Sequence, residues 1–249
     1  VSPAANIPLE LLHNDMQEYG VDRAVIVQPI YPGEDNLLIS DSAALDPEHL
    51  ASVCVVDPRQ NDAPARLEHW VRNHGCRGLR LRPRIQAESE CFGHPSTYAL
   101  WETAAQLQVV VSVMGGFEHL SALGELAHRF EQVSIVVDHL AHPPLDDPSQ
   151  LDPLLRLAEN PNVFLKVSGL PYDSKQPYPY TDCIPVVRTI HKRFGPQRLV
   201  WGSDFPHVLL QCGYARILRW FERTCPNLND SDLEHMLGGN ACRLYWNNA

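Results

Sequence analysis

The sequence predicts an α/β protein, and within that class a (β/α)₈ TIM barrel whose first strand lies before Val1. Three observations support this prediction. Short apolar runs alternate regularly with longer segments of helical periodicity. The length of 249 residues is typical of one such barrel. No Gly-x-Gly-x-x-Gly turn follows an early strand, although open dinucleotide-binding sheets commonly carry one. We therefore predict a single barrel domain over residues 1–249.

Seven apolar runs are predicted to be strands, because they are short, rich in β-branched residues and flanked by turn residues. Their nearly continuous apolar character is typical of parallel strands that helices cover on their outer side. The runs occupy residues 24–28, 51–56, 78–81, 109–113, 134–138, 163–167 and 199–201. A closed barrel needs eight strands and this chain opens with a helical pattern, so the first strand is expected upstream of Val1.

Eight segments place apolar residues at helical spacing and are predicted to be helices. They occupy residues 8–19, 63–74, 97–106, 118–130, 148–159, 183–194, 214–224 and 231–245. Asp230 and Ser231 provide an N-cap for the last of them. Strands that alternate with helices pair in parallel through right-handed crossovers, so the carboxyl ends of all strands are expected at one rim.

The composition restricts the kinds of partner. The chain has 20 Lys and Arg against 30 Asp and Glu, a formal net charge of −10, which disfavours nucleic acid because phosphate binding needs a basic surface. No apolar run reaches the roughly 18 residues that a membrane helix requires. Seven cysteines without a Cys-x-x-Cys pair favour a reducing, cytoplasmic location. The expected partner is a small anionic substrate, and a homo-oligomer is compatible with such a barrel.

Polar side chains follow the predicted strands at their carboxyl ends, where (β/α)₈ enzymes carry their chemistry. Arg80 and Arg82 lie two residues apart and so share one face of the third strand, as Lys166 and Ser168 do on the sixth. The other strand-end candidates are Met114, Asp138, His139, Asp204 and His207. Ionisable groups gathered at one rim indicate a functional site. A structural role stays open for single residues: Lys166 as the partner of a carboxylate, and the two arginines as an ion-pair layer.

The sequence gives little support for a metal site. Catalytic zinc uses about three protein ligands and one open position, but the chain contains neither His-x-His nor His-Glu-x-x-His. We therefore assign no metal ligand and leave the cofactor unknown: none, or a single divalent metal such as zinc if a His-x-His pair exists upstream. Serine chemistry has no Gly-x-Ser-x-Gly elbow to support it either.

Six segments resemble amidohydrolase-related proteins (amidohydrolase family 2), which are TIM-barrel hydrolases. The segments are residues 21–29 (VDRAVIVQP), 77–81 (RGLRL), 136–140 (VVDHL), 166–170 (KVSGL), 198–207 (RLVWGSDFPH) and 237–245 (LGGNACRLY). The last two are the most specific, and together the six span nearly the whole chain. The resemblance is greatest to the branch that holds 2-pyrone-4,6-dicarboxylate lactonase and sugar-acid lactonases.

The resemblance implies a barrel that hydrolyses small anionic lactones. It implies that Asp204 is the last-strand aspartate, which serves as the general base for water or as a metal ligand. It matches His139 to the sixth-strand histidine and Arg80 to a contact of the substrate anion. The family's His-x-His pair on the first strand lies outside this sequence, and Met114 follows the strand that often ends in histidine. That histidine is a ligand in metal-using relatives, so its absence argues against a standard zinc centre. The lactonase branch is compatible with metal-free hydrolysis.

We therefore expect a lactone hydrolase in which Asp204 takes a proton from the attacking water. His139 or Lys166 is expected to stabilise the oxyanion. The substrate-binding residues are expected to be Arg80, Arg82, Met114, Ser168, Tyr172 and His207. In this set the arginines hold the substrate carboxylate, and His207 passes a proton to the leaving alkoxide. Two alternatives stay open: a metal-dependent non-oxidative decarboxylase or hydratase of a small acid, and a degenerate, non-catalytic barrel that binds small acids.

Overall fold

The computed structural model describes residues 7–29, 34–83, 93–224 and 228–246. In these residues seven parallel strands form one sheet, in which each strand pairs with its neighbour in sequence, from β1 to β7. The strands are β1 (Ala24–Val27), β2 (Leu50–Val55), β3 (Gly78–Leu81), β4 (Val110–Val113), β5 (Ile135–Val137), β6 (Val163–Val167) and β7 (Leu199–Trp201). All seven predicted strands are therefore confirmed, with ends that differ from the prediction by at most one residue.

Helices connect the strands and cover one side of the sheet. They are α1 (Leu9–Tyr19), α2 (Leu37–Leu45), α3 (Ala63–His74), α4 (Tyr98–Gln106), α5 (Leu120–Arg129), α6 (Asp152–Arg156), α7 (Leu170–Asp173), α8 (Ile184–Phe194), α9 (Tyr214–Leu218), α10 (Trp220–Thr224), α11 (Asp230–Glu234) and α12 (Asn240–Tyr245). None of the helices in the described residues has the length and apolar character that crossing a membrane requires.

The helix predictions are correct in position but miss two elements and overestimate the continuity of others. Helices α2 and α7 are absent from the prediction. The segment predicted over residues 148–159 contains α6 between two 3₁₀ turns, and the segment over residues 231–245 is divided by a π-helical turn at His235–Gly239. Asn229, rather than Asp230 or Ser231, caps α11, with its side chain accepting a hydrogen bond from the Asp232 amide.

The two faces of the strands belong to different apolar layers. Alternate residues such as Leu79, Val111 and Ile135 pack outward against the helices in the main core. The intervening residues, among them Val53 and Val110, form a smaller layer on the inner face. Gly78 belongs to this inner face, where a Cβ would lie 2.9 Å from a methyl group of Val53. The period of two places the polar strand residues above this inner layer, at the carboxyl ends.

Strands β1 and β7 are the edges of the described sheet, because each pairs on one side only. A cavity of about 2190 Å³ opens at the carboxyl ends of the strands and continues as a groove between these two edges. Its groove portion is lined by side chains of both edge strands and reaches Tyr245 and Trp246. We call the part at the carboxyl ends the mouth.

Candidate active site

The structure brings all nine predicted site residues to one cavity. Asp204, His139, Lys166, Arg80, Arg82, Ser168, Tyr172, His207 and Met114 all line it. This follows from the parallel sheet, since residues that follow different strands meet at the same rim. Their positions agree with the sequence analysis, while their chemical roles depend on the partners that each side chain has.

Asp138 is the buried centre of an ionic cluster that we call the barrel triad, formed by Arg80, Asp138 and Lys166. The Nζ atom of Lys166 lies 2.7 Å from Oδ1 of Asp138, and Nη2 of Arg80 lies 3.3 Å from Oδ2. Burial alone would raise the pKa of Asp138, but the charges of Lys166 and Arg80 outweigh it and lower the pKa to about 2. Asp138 is therefore an anion at every ordinary pH.

Arg80 directs its guanidinium at groups of the protein. Its Nη1 donates to the Gln28 carbonyl oxygen at 3.1 Å, and its Nη2 lies 2.8 Å from the Met114 sulfur. Arg82, two residues further on, is exposed at the mouth and makes no hydrogen bond or ion pair within the described ranges. Of the two arginines, Arg82 is thus the one whose donors are available to a bound anion.

Lys166 reaches the cavity by passing over a glycine. A Cβ at Gly202 would lie 3.2 Å from Cδ of Lys166 and 3.1 Å from Cβ of Ser168. The ammonium group of Lys166 has three donors, and one is directed at Asp138. Its side chain is 18% exposed, so the other donors can face the cavity.

His139 is buried and held by a serine. The Ser168 hydroxyl lies 2.9 Å from Nδ1 of His139. Burial and the nearby charge of Lys166 lower the pKa of His139 to about 4, so the ring is neutral near pH 7. When the hydroxyl donates to Nδ1, the ring carries its proton on Nε2, the nitrogen that remains for the cavity. Gly169 permits this arrangement, because a Cβ there would lie 2.8 Å from Nδ1.

The backbone after Asp138 is left-handed over four successive residues, none of them glycine. Residues 139–142 have φ values of 52°, 54°, 57° and 55°. Left-handed backbone costs an L residue about 1–2 kcal/mol, so this segment stores strain. It places two imidazole rings at the mouth, His139 and His142, whose centroids are 5.5 Å apart at an interplanar angle of 28°.

His142 pairs with Asp173, which lies on α7, and we call the two residues the mouth dyad. Nδ1 of His142 is 3.0 Å from Oδ1 of Asp173. The hydrogen bond to Asp173 raises the pKa of His142 although the ring is partly buried. The His142 side chain is 39% exposed and lines the cavity.

Asp204 follows β7 and also has a left-handed backbone, with φ of 56°. Aspartate tolerates this conformation better than most residues do. Burial, the charge of Asp204 and a hydrogen bond to Asp204 raise the pKa of Tyr172 to about 12. The ring of Tyr172 meets that of His207 edge to face at 6.3 Å. Asp204 makes no ion pair with any described residue, in contrast to Asp138.

Within the described ranges, no group of three or more His, Cys, Asp or Glu side chains is arranged to hold a metal ion.

Sequence reasoning assigned no role to three contributors to the site. Asp138 was recognised at a strand end, but its pairing with two cations comes from strands that are distant in sequence. His142 was given no role, although it follows His139 closely in the sequence. Asp173 had no signal, because it lies on a short helix that the periodicity does not reveal.

A parallel α/β sheet with cationic, imidazole and carboxylate groups at its carboxyl rim defines a (β/α)₈ hydrolase type of site. The amidohydrolase family profile matches residues 3–246. The chain therefore belongs to the amidohydrolase family, as the sequence segments indicated.

Two relatives are lactone hydrolases. The chain is 31% identical over 234 residues to an L-fucono-1,5-lactonase of Burkholderia ambifaria, covering 91% of this chain and 80% of that protein. It is 26% identical over 237 residues to a 4-sulfomuconolactone hydrolase of Hydrogenophaga intermedia, covering 92% and 72%. These relatives support the expected class of enzyme, a lactonase-like hydrolase.

The fold also has solved counterparts. A crystal structure of an amidohydrolase from Burkholderia multivorans with bound HEPES matches with a TM-score of 0.81 at 25% identity, covering 97% of this chain and 89% of that chain. The predicted barrel fold class is confirmed by this match together with the seven parallel strands.

Proposed function

We propose that the chain opens the lactone of a small carboxylic acid, with Asp204 as the general base for the attacking water. One observation carries the proposal: Asp204 lines the mouth without a cationic partner among the described residues, whereas Asp138 is held between two cations. A general base needs a free lone pair within reach of water. The lactone hydrolases among the relatives supply the class of substrate.

The acid group of the substrate is assigned to Arg82. Its guanidinium is exposed at the mouth, and guanidinium binds carboxylates through two parallel hydrogen bonds. Arg80 is assigned a different task, because its donors are directed at Gln28, Met114 and Asp138. It fixes the charge and orientation of the barrel triad beneath the substrate.

The carbonyl oxygen of the lactone is assigned to Lys166 and His139. Lys166 has donors beyond the one directed at Asp138, and neutral His139 offers its Nε2 proton when Ser168 donates to Nδ1. Both groups are fixed before the substrate arrives, Lys166 by Asp138 and His139 by Ser168. Donors preorganised in this way stabilise a developing oxyanion more effectively than solvent does.

The reaction begins when Asp204 accepts a proton from water and the water oxygen bonds to the lactone carbonyl carbon. The negative charge then rests on the former carbonyl oxygen, facing Lys166 and His139. Collapse of this tetrahedral intermediate breaks the ring C–O bond and releases an alkoxide that must take up a proton. The product is a hydroxy carboxylate, and one proton is released overall.

The test measures hydrolysis of a panel of aldonolactones, including L-fucono-1,5-lactone, and of an anionic pyrone by pH-stat. Asp204→Asn is expected to lower kcat by about 10²–10⁴-fold, because it removes the general base, while product binding measured by calorimetry is kept. The matched control is Asp41→Asn, which changes an exposed carboxyl on α2. Normal turnover by Asp204→Asn contradicts the assignment. Acid binding without hydrolysis by the wild-type chain supports the non-catalytic alternative instead.

A further inference from the structure

The group that protonates the alkoxide when the ring opens is not assigned above; Asp204, which holds the water proton at that stage, is one candidate. A general acid for this step must hold a proton that it can release near neutral pH, and it must be oriented within the cavity. The mouth holds several ionisable groups besides Asp204, and their partners distinguish them.

Three of these groups are poorly suited to the task. His139 is neutral near pH 7, because burial and Lys166 lower its pKa to about 4. Tyr172 holds its proton too tightly, because burial and the charge of Asp204 raise its pKa to about 12. Lys166 is bound to Asp138 at 2.7 Å and is assigned to the oxyanion.

His142 has the arrangement that a general acid requires. Its Nδ1 is held by the carboxylate of Asp173 at 3.0 Å, which fixes the ring and leaves Nε2 as the second nitrogen. The ring is 39% exposed, whereas the Asp173 side chain is only 12% exposed. A carboxylate that is less exposed than its partner therefore supports an imidazole that lies at the surface of the cavity.

The electrostatic surroundings of His142 favour its charged form. Asp173 and Asp204 raise its pKa, while Arg82 and partial burial lower it, and the net change is upward. The ring also stacks on His139, which is neutral and adds no competing charge. The strained left-handed segment of residues 139–142 is what brings both rings to the mouth.

We propose that His142, held by Asp173, is the general acid that protonates the leaving oxygen of the opened lactone. This assignment rests on the proposed function. In the step, the ring C–O bond breaks, its electron pair goes to the leaving oxygen, and that oxygen takes the Nε2 proton of His142. The neutral ring then recovers a proton from solvent. Asp173 is a positioning residue, because it acts through His142.

His207 is the competing donor at the mouth. Its ring meets Tyr172 edge to face at 6.3 Å, and its Nδ1 is buried without a hydrogen-bond partner in the described part of the chain. Without a carboxylate to orient it there, His207 lacks the feature that distinguishes the mouth dyad. The experiment therefore includes a variant of each histidine.

The experiment compares two leaving groups. His142→Asn keeps a residue that tolerates the left-handed backbone but cannot supply a proton near pH 7. We expect kcat to fall about 10²–10⁴-fold for an aldonolactone, whose alkoxide needs the proton. For dihydrocoumarin, whose phenolate leaves unaided, we expect kcat to fall by less than about tenfold.

Asp173→Asn should show the same selective loss to a smaller degree. His128→Gln, which changes an exposed histidine of α5 that pairs with Glu131, is the matched control and should change neither rate.

A second variant covers the case in which dihydrocoumarin is not a substrate. His142→Gly suits a φ of 55° and leaves space for a small molecule. We expect added imidazole buffer to restore aldonolactone turnover in this variant and not in Asp204→Asn.

Equal losses of kcat for both leaving groups, or the absence of rescue by imidazole, overturn the role of His142. A selective loss in His207→Gln alone reassigns the step to His207. A wild-type chain that hydrolyses no ester overturns the proposed function itself, which is a distinguishable result.

Discussion

The barrel triad and the mouth dyad are both carboxylate–cation clusters at the same rim, yet they differ in burial and hence in chemistry. Asp138 is fully buried between Lys166 and Arg80, while Asp173 supports a histidine that is 39% exposed. The pKa of Asp138 is lowered to about 2 and that of His142 is raised. The buried cluster thus supplies a charge that pH does not change, and the open cluster supplies one that can exchange protons.

The largest expected effect tests whether the barrel triad and the mouth dyad differ in stability because they differ in burial. Asp138→Asn removes the anion that compensates Lys166 and Arg80, so we expect a loss of about 3–5 kcal/mol in the free energy of unfolding. Asp173→Asn removes the partner of a partly exposed histidine, and we expect a loss of about 1 kcal/mol or less. Urea denaturation at pH 7 measures both losses. Losses of equal size would show that the two clusters do not differ as the geometry indicates.

Acidification is expected to give the next largest loss of stability. It also distinguishes His139 from His142, because their pKa values shift in opposite directions. His139 has a folded-state pKa of about 4, below the unfolded value of about 6.5, so the unfolded chain binds more protons between these values. Stability is therefore full above about pH 6.5 and is lost as pH falls toward 4, by about 3 kcal/mol at most. Asp138 adds a further loss between about pH 4 and 2.

The sign is opposite for His142, whose folded-state pKa is raised. Its contribution to stability is present below its unfolded pKa and is lost as pH rises through the folded pKa. Urea denaturation from pH 4 to 8 is the measurement. His139→Asn, which tolerates the left-handed backbone, should flatten the acid slope. An unchanged slope in His139→Asn would mean that another buried group causes the acid sensitivity.

A smaller effect is expected from Gly169→Ala, which tests how tightly the His139 ring is enclosed. A Cβ at this position would lie 2.8 Å from Nδ1 of His139, and the φ of 70° adds a cost of about 1–2 kcal/mol. The ring must shift to accommodate the methyl group, so we expect kcat to fall about tenfold or more.

Gly20→Ala is the matched control for this substitution. Gly20 also has a φ of 70°, but a Cβ there would meet no atom within 4 Å. We expect it to lower the unfolding free energy by a similar backbone cost, about 1–2 kcal/mol, without changing kcat. If both variants lose activity equally, the contact with His139 is not what the Gly169 variant disturbs.

The sequence predicts the sheet and the rim well because both follow from local patterns. A β-branched run followed by a turn residue marks a strand wherever it occurs, and the residue after the strand must lie at the rim of a parallel sheet. This reasoning found Asp204, Lys166 and Arg80. It missed α2, because its residues Leu37, Leu38 and Ile39 form an apolar run rather than an amphipathic stripe.

Pairing between side chains is the part that the sequence does not reveal. Asp138 pairs with Lys166 and Arg80 because the order and register of three separate strands bring these side chains together. Asp173 meets His142 across 31 positions of sequence through a four-residue helix. Neither pairing has a local pattern, although each decides which of the rim residues has a free donor or acceptor.

The smallest expected effect comes from Ser168→Ala, which removes the hydroxyl 2.9 Å from Nδ1 of His139. We expect a loss of about 1 kcal/mol in the free energy of unfolding, the usual contribution of one hydrogen bond. The substitution also affects catalysis, because the His139 ring is then free to carry its proton on Nδ1 instead of Nε2. Nitrogen NMR of the His139 ring should show the proton on Nε2 in the wild-type chain and a mixture of the two forms in the variant. A wild-type ring that carries its proton on Nδ1 would mean that His139 accepts rather than donates at the cavity, and it would remove this residue from the oxyanion site while leaving Lys166 in place.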